Sequence, residues 1–219
     1  MPAVTNYRMG VCSGRAWQLT SRNRILPYSD QYKAIFLHVP KTGGTAIEQL
    51  LDIRQLCDSN PKRRPTPQHF TAAVLRTHLG ETKWSSYYSF AFVRNPWARL
   101  LSSYFWRQTL KIKRPVLAFD KFVEHASNCV AAERYYEEDF GDHFIPQVAF
   151  TDGVDEVFRY EAFAEGVEFV AKRLGQKPPV VPPKEVKAHD DYRAYFSSAA
   201  RDCVAETYAQ DIASYEYRF

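Results

Sequence analysis

One stretch constrains the fold more than any other, residues 34–51, with the sequence AIFLHVPKTGGTAIEQLL. An apolar, β-forming run at 34–39 leads into a glycine turn, and a helical pattern follows with Ile47, Leu50 and Leu51 on one side. The first N–H groups of a helix have no partner within it, and the helix dipole is positive at that end. The stretch therefore predicts an α/β domain with an anion site where the helix starts.

The turn carries the residue types that an anion needs. Lys41 adds a full positive charge, and Gly43 and Gly44 let the backbone approach a ligand closely. Thr42 and Thr45 add hydroxyl groups, and we expect Thr45 to cap the helix. The lysine precedes the glycines, whereas the standard P-loop places it after them. The pattern predicts a cradle for a phosphate-like group; the alternative is a plain turn with a solubilising lysine.

A second strand and helix follow the same plan. An aromatic-rich strand is predicted at 87–93, with Asn95 as helix cap and Pro96 as first helical residue before a helix to Trp106. Arg94 then stands at the carboxyl end of the strand, the edge where open α/β sheets bind ligands. Ser102 lies about two turns into the helix, so an anion reaching both would lie alongside it. Taken alone, Arg94 is better explained by a structural ion pair, and Ser102 by a hydroxyl on the helix surface.

The histidines are the candidate acid–base groups. His69 ends a proline-rich loop and precedes a helix predicted at 72–79, with Thr71 as cap and Gly80 as its end. We expect an exposed imidazole there, able to act on a ligand. His143 lies in the segment HFIPQ, where spacing alone favours a packing histidine. A third short strand is predicted at 156–161, with helices at 119–127, 163–174 and from Ser197 or Ser198 onward.

Composition limits the classes of function. With 219 residues, the chain is expected to form one domain, with an N-terminal arm at 1–32 and a core at about 33–216. The net charge of +4 fits an anionic ligand and is too small to indicate nucleic acid. Four dispersed cysteines suggest neither a disulfide framework nor a metal site. The sequence shows no membrane-spanning run and no signal peptide, so a cytoplasmic protein is expected unless an anchor was removed.

Two motifs together resemble those of a known family. FLHVPKTGGT at 36–45 resembles the 5′-phosphosulfate loop of sulfotransferases, and FVRNPWARLLSSY at 92–104 resembles their 3′-phosphate motif. The likeness is to sulfotransferase family 2, the Golgi carbohydrate sulfotransferase superfamily and its small bacterial relatives, and covers about residues 33–216. It implies a three-layer α/β fold, with a central parallel sheet flanked by helices, similar to P-loop NTPases.

The resemblance also implies a donor and residue roles. The donor would be 3′-phosphoadenosine 5′-phosphosulfate, leaving 3′-phosphoadenosine 5′-phosphate, with no metal and with a carbohydrate hydroxyl as acceptor. Lys41 would bind the phosphosulfate and neutralise the leaving oxygen. By position in the motifs, the cradle is Thr42, Gly43, Gly44 and Thr45, the 3′-phosphate is held by Arg94 and Ser102, the base is His69 with His78 or His143 as alternatives, and the acceptor side is lined by His143 and Gln147.

The loop before the last helix departs from the family pattern. In the family this loop closes over the nucleotide with basic and hydroxyl residues. Here the loop from Pro182 to Asp191, with Tyr192 and Arg193 just beyond it, offers basic and aromatic side chains but no Ser or Thr, and Arg193 is among the nucleotide-binding candidates. These candidates are Lys184, Lys187, His189, Tyr192 and Arg193.

Two other functions were weighed against the sulfotransferase. A nucleotide-dependent kinase on a related fold lacks the lysine after the glycines and a clear strand-end aspartate for Mg²⁺. A non-catalytic module that binds sulfated or phosphorylated glycans would use the basic clusters at 62–64 and 111–114, and would leave the Lys41 loop without a purpose.

Overall fold

The computed structural model describes residues 28–51, 69–110, 117–135, 140–182 and 191–219. Both basic clusters proposed for a glycan-binding module lie outside these ranges. So do Lys184, Lys187 and His189 of the nucleotide-loop candidates, whereas Tyr192 and Arg193 lie within them.

A four-stranded sheet in the order β1-β2-β3-β4 forms the centre of the described structure. Its strands are β1 (Tyr28–Ser29), β2 (Ala34–Leu37), β3 (Tyr88–Val93) and β4 (Glu156–Arg159). Strands β2, β3 and β4 are parallel, with Phe36 beside Phe90 and Phe92 beside Phe158. Strand β1 pairs with β2 in the antiparallel direction, since the short turn between them is too brief for a parallel crossover. The α/β prediction is confirmed, but the sheet is mixed rather than wholly parallel.

Helices pack on both faces of this sheet. The α-helices in the described ranges are α1 (Gly44–Leu50), α2 (Ala72–Leu79), α3 (Glu81–Ser86), α4 (Pro96–Thr109), α5 (Phe119–Ala131), α6 (Val148–Thr151), α7 (Phe163–Arg173), α8 (Ser198–Thr207) and α9 (Ala209–Ser214). Short 3₁₀ turns occur at Gly141–Phe144, Tyr160–Ala162 and Tyr192–Tyr195. Among the described residues, no helix combines the length and apolarity that crossing a membrane requires.

Side-chain alternation along β2 divides the core into layers. Phe36 packs with α1 and α7 on one face, and Ile35 and Leu37 pack with α2 and α6 on the other. A third apolar cluster joins α4, α5 and α8 beside the sheet, around Leu101 and Tyr208. Because β2 and β3 are covered on both sides, their carboxyl ends are held rigidly, and the site lies there.

Several elements differ from the predicted ones. Helix α2 has the predicted bounds, but α3 directly after Gly80 was not predicted. Helix α4 continues to Thr109, one turn beyond the expected end. The last helix is capped by Ser197, whose hydroxyl accepts from the Ala200 N–H at 3.1 Å, and it breaks at Tyr208 into α8 and α9.

Candidate active site

The loop between β2 and α1 is shaped by its backbone angles and by a hydrogen bond within it. Lys41 and Gly43 adopt positive φ angles of 69° and 84°, which turn the chain sharply into the helix. Thr42 is fully buried, and its hydroxyl donates to the Val39 carbonyl at 2.9 Å. Gly43 occupies the cap position, so the predicted capping by Thr45 is wrong, since Thr45 is already the second helical residue. Thr45 is exposed at the helix start.

The two glycines are required by packing within the protein as well as by ligand approach. A Cβ atom on Gly44 would lie 2.0–2.5 Å from three ring atoms of His38. A Cβ atom on Gly43 would lie 2.8 Å from the Phe163 ring and 3.1 Å from the Tyr160 ring. The loop backbone therefore rests directly on a histidine below it and on aromatic rings beside it.

His38 and Glu48 form a buried pair that the sequence analysis missed. His38 Nδ1 lies 2.9 Å from Glu48 Oε1, and the two side chains are 7% and 8% exposed. Burial lowers the pKa of His38, although the bond to Glu48 opposes this. The pair ties the end of β2 to α1. The available signal was a histidine between two apolar residues of a strand end, Leu37 and Val39.

His69 is oriented by a carboxylate from a distant segment. Its Nδ1 lies 2.6 Å from Asp142 Oδ2, and the side chains are 8% and 9% exposed. Because an ionised carboxylate only accepts hydrogen bonds, Nδ1 carries the hydrogen and Nε2 is left as the basic nitrogen. The expectation of an exposed imidazole is wrong, since the side chain is only 8% exposed and its ring packs edge-on against His38 and His143, at centroid distances of 4.9 and 5.2 Å.

His143 lies in the same cluster, on the side of α4. Its Nδ1 is 3.1 Å from Ser103 Oγ, and its ring centroid is 4.7 Å from that of Trp106. Burial holds the pKa of His143 well below its usual value, and the neighbouring cationic groups lower it further. His143 is therefore neutral near pH 7. By contrast, His78 is exposed on α2, where its Nδ1 bonds the Val74 carbonyl at 2.8 Å.

Lys41 and the histidine cluster converge on Trp106. The Lys41 ammonium lies 5.0 Å from the centroid of the Trp106 ring, which also contacts His143. The site thus places the Lys41 ammonium and His143 against one aromatic side chain, with the carboxylate-oriented His69 in contact with His143. Such a site can stabilise negative charge on one side and accept a proton on the other.

Arg94 connects the loop to a separate cleft. Its Nη1 donates to the Lys41 carbonyl at 3.3 Å, and its guanidinium lies 4.6 Å from the Tyr160 ring centroid. The cleft beside it has a volume of about 510 Å³. Its charged lining residues are Arg94, Arg159, Arg193, Arg218, Glu161 and Glu216, a net positive set that suits an anion. The structure therefore brings Arg94 and Arg193 together.

Ser102 lies near this cleft but is not part of its lining. Ala98 does line the cleft, and Ser102 follows it by one turn on the same face of α4. A ligand that extends along the helix from Arg94 would reach it.

Gln147 lies elsewhere than predicted. Its side chain has no exposed surface, and its amide bonds both the N–H and the C=O of Arg94. It lies behind the end of β3 rather than on an open acceptor surface. The acceptor-side role of His143 stays a prediction, and its ring contacts His69 with centroids 5.2 Å apart.

Among the described residues, His69, Asp142 and His143 could hold a metal ion, since a ligand atom from each lies within 4.8 Å of the others. The Nδ1 atoms of both histidines face Asp142 and Ser103, so an ion would have to be bound through their Nε2 atoms. The cations Lys41, Arg99 and Arg107, whose charges act on His143, would also repel a divalent ion. The expectation of metal-free chemistry stays a prediction.

A comparison with protein-family models decides the assignment. The model of the Sulfotransferase family matches residues 26–218, which is nearly the whole chain. The chain belongs to the sulfotransferase family. The sulfotransferase is also similar to an uncharacterized protein of Archaeoglobus fulgidus, with 29% identity over 122 residues, 56% of this chain and 96% of that protein.

Membership gives the site a reaction class. A sulfotransferase passes a sulfonate group from a donor to a hydroxyl-bearing acceptor. In this sulfotransferase both resembling motifs begin at the carboxyl ends of neighbouring parallel strands, β2 and β3, and run through a turn into α1 and α4. That adjacency brings the Lys41 loop and Arg94 into contact, since Arg94 Nη1 donates to the Lys41 carbonyl.

Proposed function

We propose that this sulfotransferase moves a sulfuryl group from 3′-phosphoadenosine 5′-phosphosulfate to a hydroxyl of a carbohydrate or similar acceptor. The observation that carries the proposal is the arrangement of His69 and Lys41. His69 is held by Asp142 at 2.6 Å, and both His69 and Lys41 lie against the pair formed by His143 and Trp106. A base and a cation so placed can serve the two ends of one in-line transfer.

The donor would lie across the β2 and β3 ends. Lys41 and the N–H groups at the start of α1 bind the 5′-phosphosulfate, in the cradle of Thr42, Gly43, Gly44 and Thr45. The 3′-phosphate lies in the arginine-lined cleft, where the binding residues are Arg94, Arg193 and, along α4, Ser102. The Tyr160 and Tyr192 side chains in that cleft offer aromatic surface for the adenosine.

In the transfer step, His69 Nε2 takes the proton of the acceptor hydroxyl while the acceptor oxygen attacks sulfur. The bond between sulfur and the bridging phosphate oxygen breaks, and Lys41 neutralises the negative charge that the leaving phosphate gains. Asp142 keeps the His69 ring in place and stabilises the imidazolium. A general base of this kind contributes on the order of 10² to 10⁴ in rate. Lys41, Arg94 and the loop amides supply the positive field, so we expect no metal requirement.

The acceptor would approach from the side of His143 and Trp106. His143 is neutral, so it can hydrogen-bond a sugar hydroxyl without competing for its proton. Trp106 offers an aromatic ring beside it, a common surface for carbohydrate rings.

The first test is a calorimetric titration with 3′-phosphoadenosine 5′-phosphate and with ATP, without metal, on wild type and Arg94→Ala. We expect micromolar binding of the bisphosphate, little binding of ATP and a large loss in the variant, because Arg94 pairs with the 3′-phosphate. Arg134→Ala is the matched control, since Arg134 is exposed after α5. ATP binding that needs Mg²⁺, with no preference for the 3′-phosphate, would support the kinase alternative instead.

A further inference from the structure

Gln147 fills both main-chain hydrogen-bonding groups of Arg94. Its Oε1 accepts from the Arg94 N–H at 2.8 Å, and its Nε2 donates to the Arg94 C=O at 2.9 Å. One side chain thus does for Arg94 what a neighbouring strand does for a strand residue. Arg94 follows the last residue of β3 and precedes the cap of α4, so this clamp fixes the main chain at the turn between them.

Asp211, a fully buried residue of α9, fixes the clamp itself. Its Oδ2 accepts from the Gln147 N–H at 2.9 Å and from Gln147 Nε2 at 3.3 Å, and its Oδ1 accepts from the Val148 N–H at 3.0 Å. The amide nitrogen therefore faces two acceptors, and the amide oxygen faces a donor. A flipped amide would place an oxygen against two oxygens, so only one orientation is stable.

The fixed main chain aims a functional side chain. Arg94 reaches the Lys41 carbonyl with Nη1 and lies over the Tyr160 ring, at the wall of the arginine-lined cleft. Guanidinium–phosphate bonds depend on direction, and a shift of about 1 Å in a binding group is costly. A loose turn at Arg94 would weaken such bonds more than it would weaken the contacts of the rest of the nucleotide.

We infer that Asp211 and Gln147 are positioning residues that aim Arg94 and so set the preference for nucleotides that carry a 3′-phosphate. The inference rests on the proposed function, in which Arg94 binds that phosphate. It assigns the C-terminal helix α9 a part in donor selection, although α9 supplies no residue to the cleft lining.

A purely scaffolding role predicts a different result. Asp211 also lies in the field of buried Arg99, which holds the His143 and Ile145 carbonyls at 3.1 and 3.2 Å. If Asp211 only stabilised this segment, its loss would weaken the binding of all nucleotides equally. If it aims Arg94, its loss lowers the ratio between a nucleotide with a 3′-phosphate and one without.

The experiment measures that ratio. Wild type, Gln147→Leu and Asp211→Asn are titrated with 3′-phosphoadenosine 5′-phosphate and with adenosine 5′-phosphate, and folding is checked by thermal melting. The matched control is Tyr208→Phe, which removes a buried hydrogen bond to the Phe144 carbonyl, at 3.0 Å, without touching Arg94. Amide hydrogen exchange at Arg94 is followed in the wild type, which needs no variant to fold.

We expect the wild type to bind the bisphosphate more tightly than adenosine 5′-phosphate. In both clamp variants the ratio of the two affinities should be roughly tenfold smaller, a typical effect for one weakened charge-assisted bond. Tyr208→Phe should keep the ratio, and the Arg94 amide should exchange slowly. No preference in the wild type would overturn the proposed function. A wild-type preference that folded clamp variants retain, or rapid exchange at Arg94, would overturn the inference alone.

Discussion

Four of the histidines differ in the hydrogen-bond partner of their Nδ1 atom. Burial lowers the pKa of both His38 and His143, so each is a weak base near neutral pH. His69 has a carboxylate partner and contacts both of these rings, whereas His78 bonds a helix carbonyl on an exposed face. The Nδ1 partners are Glu48 for His38, Asp142 for His69, Val74 for His78 and Ser103 for His143.

We expect His69→Ala to lower turnover by about 10² to 10⁴ and to leave bisphosphate affinity unchanged, because in the proposed mechanism His69 contacts the acceptor rather than the nucleotide. Asp142→Asn should also lower turnover, since the amide lacks the negative charge and can hold the ring in the wrong tautomer. Initial rates of sulfuryl transfer and parallel titrations measure both effects. His78→Ala is the control and should turn over normally. Full turnover by His69→Ala would move the base to His143 or His78.

Individual site residues were predictable where one local motif contains them. Lys41 and Arg94 each stand at a strand end beside a helix start, so local patterns identified them. Asp142 contacts His69 across 73 residues, and Asp211 contacts Gln147 across 64. No local pattern marks a carboxylate as the partner of a residue so distant. The sequence motif singled out Gln147 as an acceptor-side residue, but only the three-dimensional structure shows that it bonds the main chain of Arg94.

At the scale of elements, α1 is held against β2 by the contact between Gly44 and the His38 ring. A methyl group at Gly44 would overlap that ring, so we expect Gly44→Ala to lower the free energy of unfolding by about 1–3 kcal/mol. It should also weaken bisphosphate binding, because the shifted loop contains the cradle. In a His38→Ala background the same substitution should cost much less. Denaturant unfolding of the four proteins gives the coupling energy.

The control for this cycle is Gly175→Ala. Gly175 has φ 69°, and among the described residues, its chain neighbours apart, none has an atom within 4 Å of the added methyl group. The Gly175→Ala substitution should therefore lower the free energy of unfolding by about 1 kcal/mol through backbone strain, and it should leave bisphosphate affinity unchanged. An equal cost for Gly44→Ala with and without His38 would show that the ring is not the obstacle.

Elements with strong local signals were predicted well, and those created by tertiary contacts were not. Helix α2 begins after Thr71, although the Thr71 side chain makes no capping hydrogen bond, and it ends at Gly80, whereas α4 is capped by Asn95 and begins with Pro96. The two-residue strand β1 exists only because it pairs with β2. The periodic pattern of α8 continues through Tyr208, but the Tyr208 hydroxyl bonds the Phe144 carbonyl where the helix breaks.

At the scale of the whole molecule, buried titratable groups make stability depend on pH. The folded pKa values of His38 and His143 lie below the ordinary value of 6.5, mainly through burial. The contribution of these two histidines to the free energy of unfolding is fully present above pH 6.5, and it is lost as the pH falls through the lowered pKa values. Burial raises the pKa of Asp211 above 3.8. The contribution of Asp211 to stability has the opposite pH dependence, since it is present below pH 3.8 and is lost as the pH rises through the raised pKa.

We therefore expect the free energy of unfolding to fall between pH 6.5 and 5, by up to about 1.4 kcal/mol per pH unit for each histidine. His143→Gln should flatten this slope, because it removes one of the two groups. The charges that act on His143 come from His69, Arg107, Lys41 and Arg99, and the variant leaves them in place. Denaturant midpoints across this range measure the slope, and an unchanged slope in His143→Gln would contradict the prediction.

The clamp on Arg94 has a practical consequence for redesign. Gln147 bonds only main-chain atoms of Arg94, so it does not depend on which side chain stands at that position. Exchanging residue 94 should change the chemistry of the cleft while the turn between β3 and α4 keeps its shape. A library at this single position is therefore the economical starting point for an enzyme that accepts a simpler, cheaper sulfuryl donor.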